Sequence, residues 1–91
     1  MKALYKYPLE FKEEQCLHLP KGSTILSAIE QYGSIVVYAL TNVKCDALTA
    51  VKFKVLPTGH IDVDGLDTYT FLASLKFHHG KLIFHVFYQC E

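Results

Sequence analysis

The chain has 91 residues, 51% of them apolar, enough for one small domain over residues 1–91 but with little room for a deep catalytic cleft. Nine lysines balance nine carboxylates, and there is no arginine. Zero net charge gives no field to steer polyanions, and arginine is the usual bidentate reader of guanine and phosphate, so a nucleic-acid binder and an Arg-clamped phosphate site are both disfavoured.

The elements follow in chain order. Ala3 to Tyr7 is short and Tyr-rich, and Pro8 closes it. A proline cannot sit in a central ladder, so this is an edge strand, and Lys2 and Lys6 suit an edge that must not aggregate. Phe11 to Glu14 reads as a charged turn. Gln15 to Leu19 alternates, with Leu17 and Leu19 on one face and Cys16 and His18 on the other, before Pro20-Lys21-Gly22-Ser23 breaks the chain. Thr24 to Tyr32 fits two patterns. As a helix, Ser23 caps it and Ile25, Leu26, Ile29 and Tyr32 share a face. As a strand, Ile25, Ser27, Ile29 and Gln31 oppose Leu26, Ala28 and Glu30. Ile35 to Leu40 is strongly β-prone, and a Tyr32-Gly33-Ser34 turn would join the two segments as a hairpin.

Thr41 to Ala50 is polar and irregular, with room for one helical turn. Ala50 to Leu56 places Val51, Phe53 and Val55 inward and Lys52 and Lys54 on a wet face. Pro57-Thr58-Gly59-His60 ends that strand, and Ile61 to Asp67 is an acidic loop. The clearest signal lies between Thr70 and Tyr88. Phe71, Ala73, Leu75 and Phe77 alternate with Thr70, Leu72, Ser74 and Lys76. After the His78-His79-Gly80-Lys81 break, Leu82, Phe84, Val86 and Tyr88 alternate with Ile83, His85 and Phe87. This is a hairpin, and its second strand, apolar on both faces, belongs in the middle of a sheet. About seven short strands with little or no helix predict an all-β, antiparallel sandwich or barrel-like domain.

Cysteines Cys16, Cys45 and Cys90 are odd in number and widely spaced, with no C-x-x-C pair, which fits reduced thiols in a cytoplasmic protein rather than a disulfide framework. The first residues carry no signal-peptide core, and no apolar run approaches the ~20 residues needed to span a bilayer, so no membrane partner is expected.

Several stretches together resemble a group of short, mostly uncharacterised proteins of bacteriophages and prophages. They are Y-K-Y-P-L-E at Tyr5, L-P-K-G at Leu19 with I-L-S after it, Y-A-L at Tyr38, F-K-V at Phe53, T-G-H at Thr58 and L-I-F-H-V-F at Leu82. The motifs are short, and their order and spacing along the whole chain carry the likeness. The resemblance implies a phage or bacterial source and favours the hairpin for Thr24 to Leu40. The 41–50 segment departs from the Pro- and Glu-rich loop of those proteins, and the arginine before their central strand is missing. The resemblance brings no activity and no catalytic residue.

The chemistry-bearing residues must stand on their own. Of the five histidines (His18, His60, His78, His79 and His85), His78 and His79 would point to opposite faces of a continued strand, and His85 reads as a core histidine with hydrogen-bonded nitrogens. His60 with Asp62 or Asp64 is the best start of a metal site but lacks a third ligand, so no metal and no cofactor are assigned. Asp62-Val63-Asp64-Gly65 is a fragment of a calcium loop without its closing glutamate, and reads as a solvated acidic turn. Thr58-Gly59-His60 is either turn chemistry or an anion cradle of hydroxyl, imidazole and close backbone. No nucleophile, zinc-protease or P-loop motif is present, so catalysis is not expected. Tyr5, Tyr7, Tyr32, Tyr69 and Tyr88 are either rim packing or a binding surface.

The expected function is therefore that of a non-enzymatic phage-type accessory protein. It would bind and block a bacterial host protein, as an anti-defence inhibitor of the anti-CRISPR kind, through an edge strand or a patch formed by Thr58, Gly59, His60, Asp62, Asp64, Asp67 and Tyr69. One alternative is a homodimeric or larger sponge for a nucleotide signal, using the T-G-H turn, lysines and stacking tyrosines. Another is a minor virion or assembly component.

Overall fold

The computed structural model describes residues 1–61 and 64–90. Seven strands run in order: β1 (Lys2–Leu9), β2 (Glu14–Pro20), β3 (Thr24–Gln31), β4 (Ser34–Asn42), β5 (Leu48–Pro57), β6 (Thr70–Phe77) and β7 (Leu82–Cys90). Among the described residues one 3-10 turn, Leu66–Thr68, precedes β6. The strands form two antiparallel sheets, β1-β4-β3 and β2-β5-β7-β6, which stack as a sandwich and do not close into a barrel.

Alternation decides the core. From β4, Ile35, Val37, Ala39 and Thr41 point inward and are fully buried. From the other sheet come Leu19, Val51, Phe53, Val55, Leu75, Phe77 and Val86. β7 sits between β5 and β6, which explains why its sequence is apolar on both sides. β1 is an edge strand, as Pro8 and its lysines predict, although Pro8 lies within the ladder opposite Val36.

The helix-or-strand ambiguity at Thr24 to Tyr32 resolves as strand. β3 pairs with β4 through the two-residue turn Tyr32-Gly33, both with positive φ (51° and 80°), the geometry that matches hairpin twist. Its faces differ from simple alternation because a bulge between Ile25 and Ser27 adds a residue. Ile25 and Ala28 are thereby both buried, and Ile29 turns outward beside Val36. A second bulge, between Phe71 and Ala73, has the same consequence in β6. Phe71, expected on the core face with Ala73, Leu75 and Phe77, instead lies outside against Phe87, with ring centroids 5.6 Å apart.

Two further expectations need correction. Residues 41–50 contain no helical turn, because β4 continues to Asn42 and β5 begins at Leu48. Lys54 does lie on the outer face of β5, but that face is not wet at this point: Lys54 and Leu56 are only 8% and 4% exposed. The chain after β5 folds back over them. The Tyr69 ring lies 5.3 Å from the Lys54 ammonium, and Gln89 Nε2 donates to the Thr68 carbonyl and hydroxyl at 3.1 and 2.8 Å. Glu14 completes the lysine's surroundings with an ion pair at 3.4 Å.

Candidate functional site

One end of the sandwich collects the β1–β2 connection, the β3–β4 turn, the chain leaving β5 and the β6–β7 turn. The T-G-H turn belongs to this end. Thr58 N–H donates to the Ile83 carbonyl at 3.2 Å and His60 N–H to the Pro57 carbonyl at 3.1 Å. The Thr58 hydroxyl is 2.7 Å from His85 Nε2, and the Ser74 hydroxyl is 2.7 Å from His85 Nδ1. Hydroxyls donate or accept, so this clamp satisfies His85 in either tautomer and when protonated. His85 thus has the hydrogen-bonded nitrogens expected of it, but on the outer face of β7 rather than in the core. His60 Nε2 pairs with Glu13 at 3.1 Å, which ties the turn to the β1–β2 connection.

Thr58, Gly59 and His60 line a cavity of about 210 Å³ together with Leu56, Leu66, His85 and Phe87. Two of the motifs behind the phage resemblance, T-G-H and F-H-V-F, therefore meet in space. Their hydroxyl, imidazoles and two N–H groups are all engaged within the protein. Tyr69 lies elsewhere, in a cavity of about 280 Å³ with Glu14, Cys16, Lys52 and Phe53. Asp64 and Asp67 are exposed; Asp62 and the calcium-like fragment it begins lie outside the described residues. Among the described residues no three His, Cys, Asp or Glu side chains gather to hold a metal ion, and the three cysteines are free. Of the tyrosines, Tyr7 and Tyr88 pack against the core, Tyr69 is half-buried beside Lys54, and Tyr5 and Tyr32 are exposed.

A larger cavity, about 570 Å³, opens at the same end and escaped sequence reasoning. Phe11, Phe77 and Phe84 line it, with pairwise ring centroids 5.2–5.6 Å apart in edge-to-face arrangement. Phe11 comes from the β1–β2 connection, which looked like a charged turn. Gln15 shapes that connection: its amide donates to the Glu10 carbonyl at 2.7 Å and accepts the Glu10 N–H at 2.8 Å. Glu30, Lys76, His78 and His79 complete the rim.

His78 and His79 do not continue the strand, so the opposite-face argument against them lapses. Both adopt left-handed backbone (φ 52° and 58°) before Gly80 (φ 83°). Together with Tyr32 they are the positive-φ residues other than glycine among the described residues, and all three sit at this end. Such conformations cost of order 1–3 kcal/mol each and cluster at functional sites. The signal available in the sequence was a turn built of two histidines, where asparagine or glycine is the easier choice.

The fold and its end cavity define a small two-sheet β-sandwich with an aromatic-lined opening at one end. The chain belongs to a family described as a domain of unknown function (DUF7352), which it matches over residues 1–91. No curated protein and no solved structure matches it. No helix among the described residues is long and apolar enough to cross a membrane.

Proposed function

We propose that this is a non-enzymatic, bacteriophage-type accessory protein that binds and blocks a host protein in the bacterial cytoplasm, with a component of antiviral defence as its target. The phage resemblance supports the source and the kind of target. One observation supports the binding mode: the two outer faces of the sandwich are treated differently. The four-stranded sheet shields its outer Lys54 and Leu56 with residues 66–69 while leaving Phe71 56% exposed, whereas the three-stranded sheet has no such layer among the described residues.

On that uncovered face Leu4 pairs with Leu40, Pro8 with Val36, and Val36 with Ile29. Leu4 is 60% exposed and Ile29 39%, while Val36 between Pro8 and Ile29 is only 7% exposed, so the open apolar surface lies toward β1 and β3 rather than along β4. Register places Lys2 and Lys6 on the same face of β1, so the face is apolar with a cationic margin. Its chemical complement is an apolar patch edged with carboxylates. β1 is also an open edge, where an extended segment of the partner can add a strand.

The test is affinity capture from lysate of the natural host with the wild-type protein and with the Leu4→Glu and Ile29→Glu variants. A single stoichiometric host protein, retained by the wild type and lost with both variants, supports the reading. No retained protein, or retention that ignores both substitutions, contradicts it.

A further inference from the structure

The end cavity has the makings of a small-molecule site distinct from the protein-binding face. Its volume of about 570 Å³ lies inside the range typical of ligand clefts, whereas the T-G-H cavity at about 210 Å³ lies below it. Its lining divides cleanly by chemistry. The aromatic part is the Phe11–Phe77–Phe84 cluster, and Phe11 is 52% exposed, an aromatic surface that the core does not need. The N–H-donating part is His78 and His79; Lys76, opposite Ile83, borders the cavity from the other face of β6 to that of Leu75 and Phe77. Neither histidine side chain has a hydrogen-bond or ion-pair partner among the described residues.

Glu30 contributes the negatively charged hydrogen-bond acceptor of this lining. Its Oε2 accepts the Gly33 N–H, which holds the carboxylate at the rim and leaves Oε1 available to accept a further N–H. The backbone supports the same assignment. The histidines are held in left-handed conformations that glycine would adopt more easily, so turn stability does not explain their presence.

We propose that this cavity binds a planar aromatic ligand that carries an anionic group. The ring packs on the Phe11–Phe77–Phe84 cluster, as aromatic side chains hold bases. The anion sits at His78 and His79, and Glu30 accepts a ring N–H or exocyclic amine. Mononucleotides and aromatic carboxylates share this chemistry; an amino-bearing base answers Glu30 as well as the histidines. The site is formed within one chain and does not depend on the protein-binding reading.

The experiment is an amide-resolved NMR titration of the intact protein with adenosine and guanosine monophosphates, adenosine, indole-3-acetate and inorganic phosphate. Monophosphates should shift the amides of residues 30–33 and 76–82, with adenosine and phosphate each binding about tenfold or more weakly, the loss expected when one charged or stacked contact is removed. Stronger binding of indole-3-acetate than of the monophosphates supports the site with an aromatic carboxylate as its ligand. Two variants guard against misfolding as an explanation. His78→Gly/His79→Gly suits the left-handed backbone and removes two donors, and Phe11→Ala removes a half-exposed ring. Each should weaken binding by about tenfold or more while the spectrum stays dispersed. No shift in these segments with any millimolar probe, or binding unchanged in both variants, overturns the proposal.

Discussion

The β6–β7 turn should become more stable when its histidines are replaced by glycine. His78 and His79 have φ of 52° and 58°, where an L-residue bears a steric cost of about 1–2 kcal/mol. Both are exposed, and neither ring makes a hydrogen bond within the described residues, so removing the side chains gives up little. Glycine relieves the steric cost but loses about 0.5–1 kcal/mol more conformational entropy on folding. The difference is a gain of about 0.5–1 kcal/mol per site, or about 1–2 kcal/mol for the double variant, less any coupling between neighbours. For a domain of this size that raises Tm by about 5–15 °C. Urea unfolding of wild type, His78→Gly/His79→Gly and His78→Ala/His79→Ala is the assay. The glycine variant should shift the midpoint upward at constant m, and the alanine variant, which keeps a Cβ in the left-handed region, should show no such gain. A glycine variant no more stable than wild type would refute the idea that this turn is strained, and with it the reason for regarding its histidines as functional.

Two other outcomes follow from the packing. Thr41 is fully buried on the inner face of β4 and its hydroxyl has no partner, so Thr41→Val should stabilise by about 1–2 kcal/mol in urea unfolding, whereas a loss of stability would mean the hydroxyl is satisfied. The Lys54 ammonium is almost enclosed and Glu14 is its ionic partner at 3.4 Å; because the Glu14 side chain is 69% exposed, Glu14→Gln should cost only about 1 kcal/mol, well below the cost of breaking a fully buried pair. Lys54→Met should be neutral or stabilising by the same measurement, and a large loss there would show that the pair with Glu14 and the Tyr69 ring contributes net stability.

Much of the fold can be read from alternation alone. Val51, Phe53 and Val55 inside, Leu17 and Leu19 inside, and a doubly apolar β7 in mid-sheet all follow from period-two patterning. The misplacements trace to two bulges. An extra residue near Leu26 turns Ile29 outward, and one near Leu72 turns Phe71 outward; nothing in the local composition announces either. The burial of Lys54 has a different origin. It depends on Tyr69, fifteen positions later, and a sheet face reads as wet until the chain that covers it is known.

The candidate sites divide in the same way. Sequence spacing marks T-G-H as a turn, but not that Thr58 meets His85 across the sheet. Phe11 among charged neighbours reads as surface, yet the β1–β2 connection, folded around the Gln15 side chain, carries it onto Phe77 and Phe84. The uncovered face of the three-stranded sheet was equally hidden, because Leu4, Val36, Ile29 and Leu40 come from three strands whose register the sequence does not state.

The most direct measurement is hydrogen exchange on the complex between this protein and the host protein it captures, compared with the protein alone. Binding at the uncovered face predicts slowed exchange along β1 and in β3, with the segment 64–69 unchanged. Protection confined to residues 58–69, with β1 exchanging as in the free protein, would contradict it and move the interface to the opposite sheet.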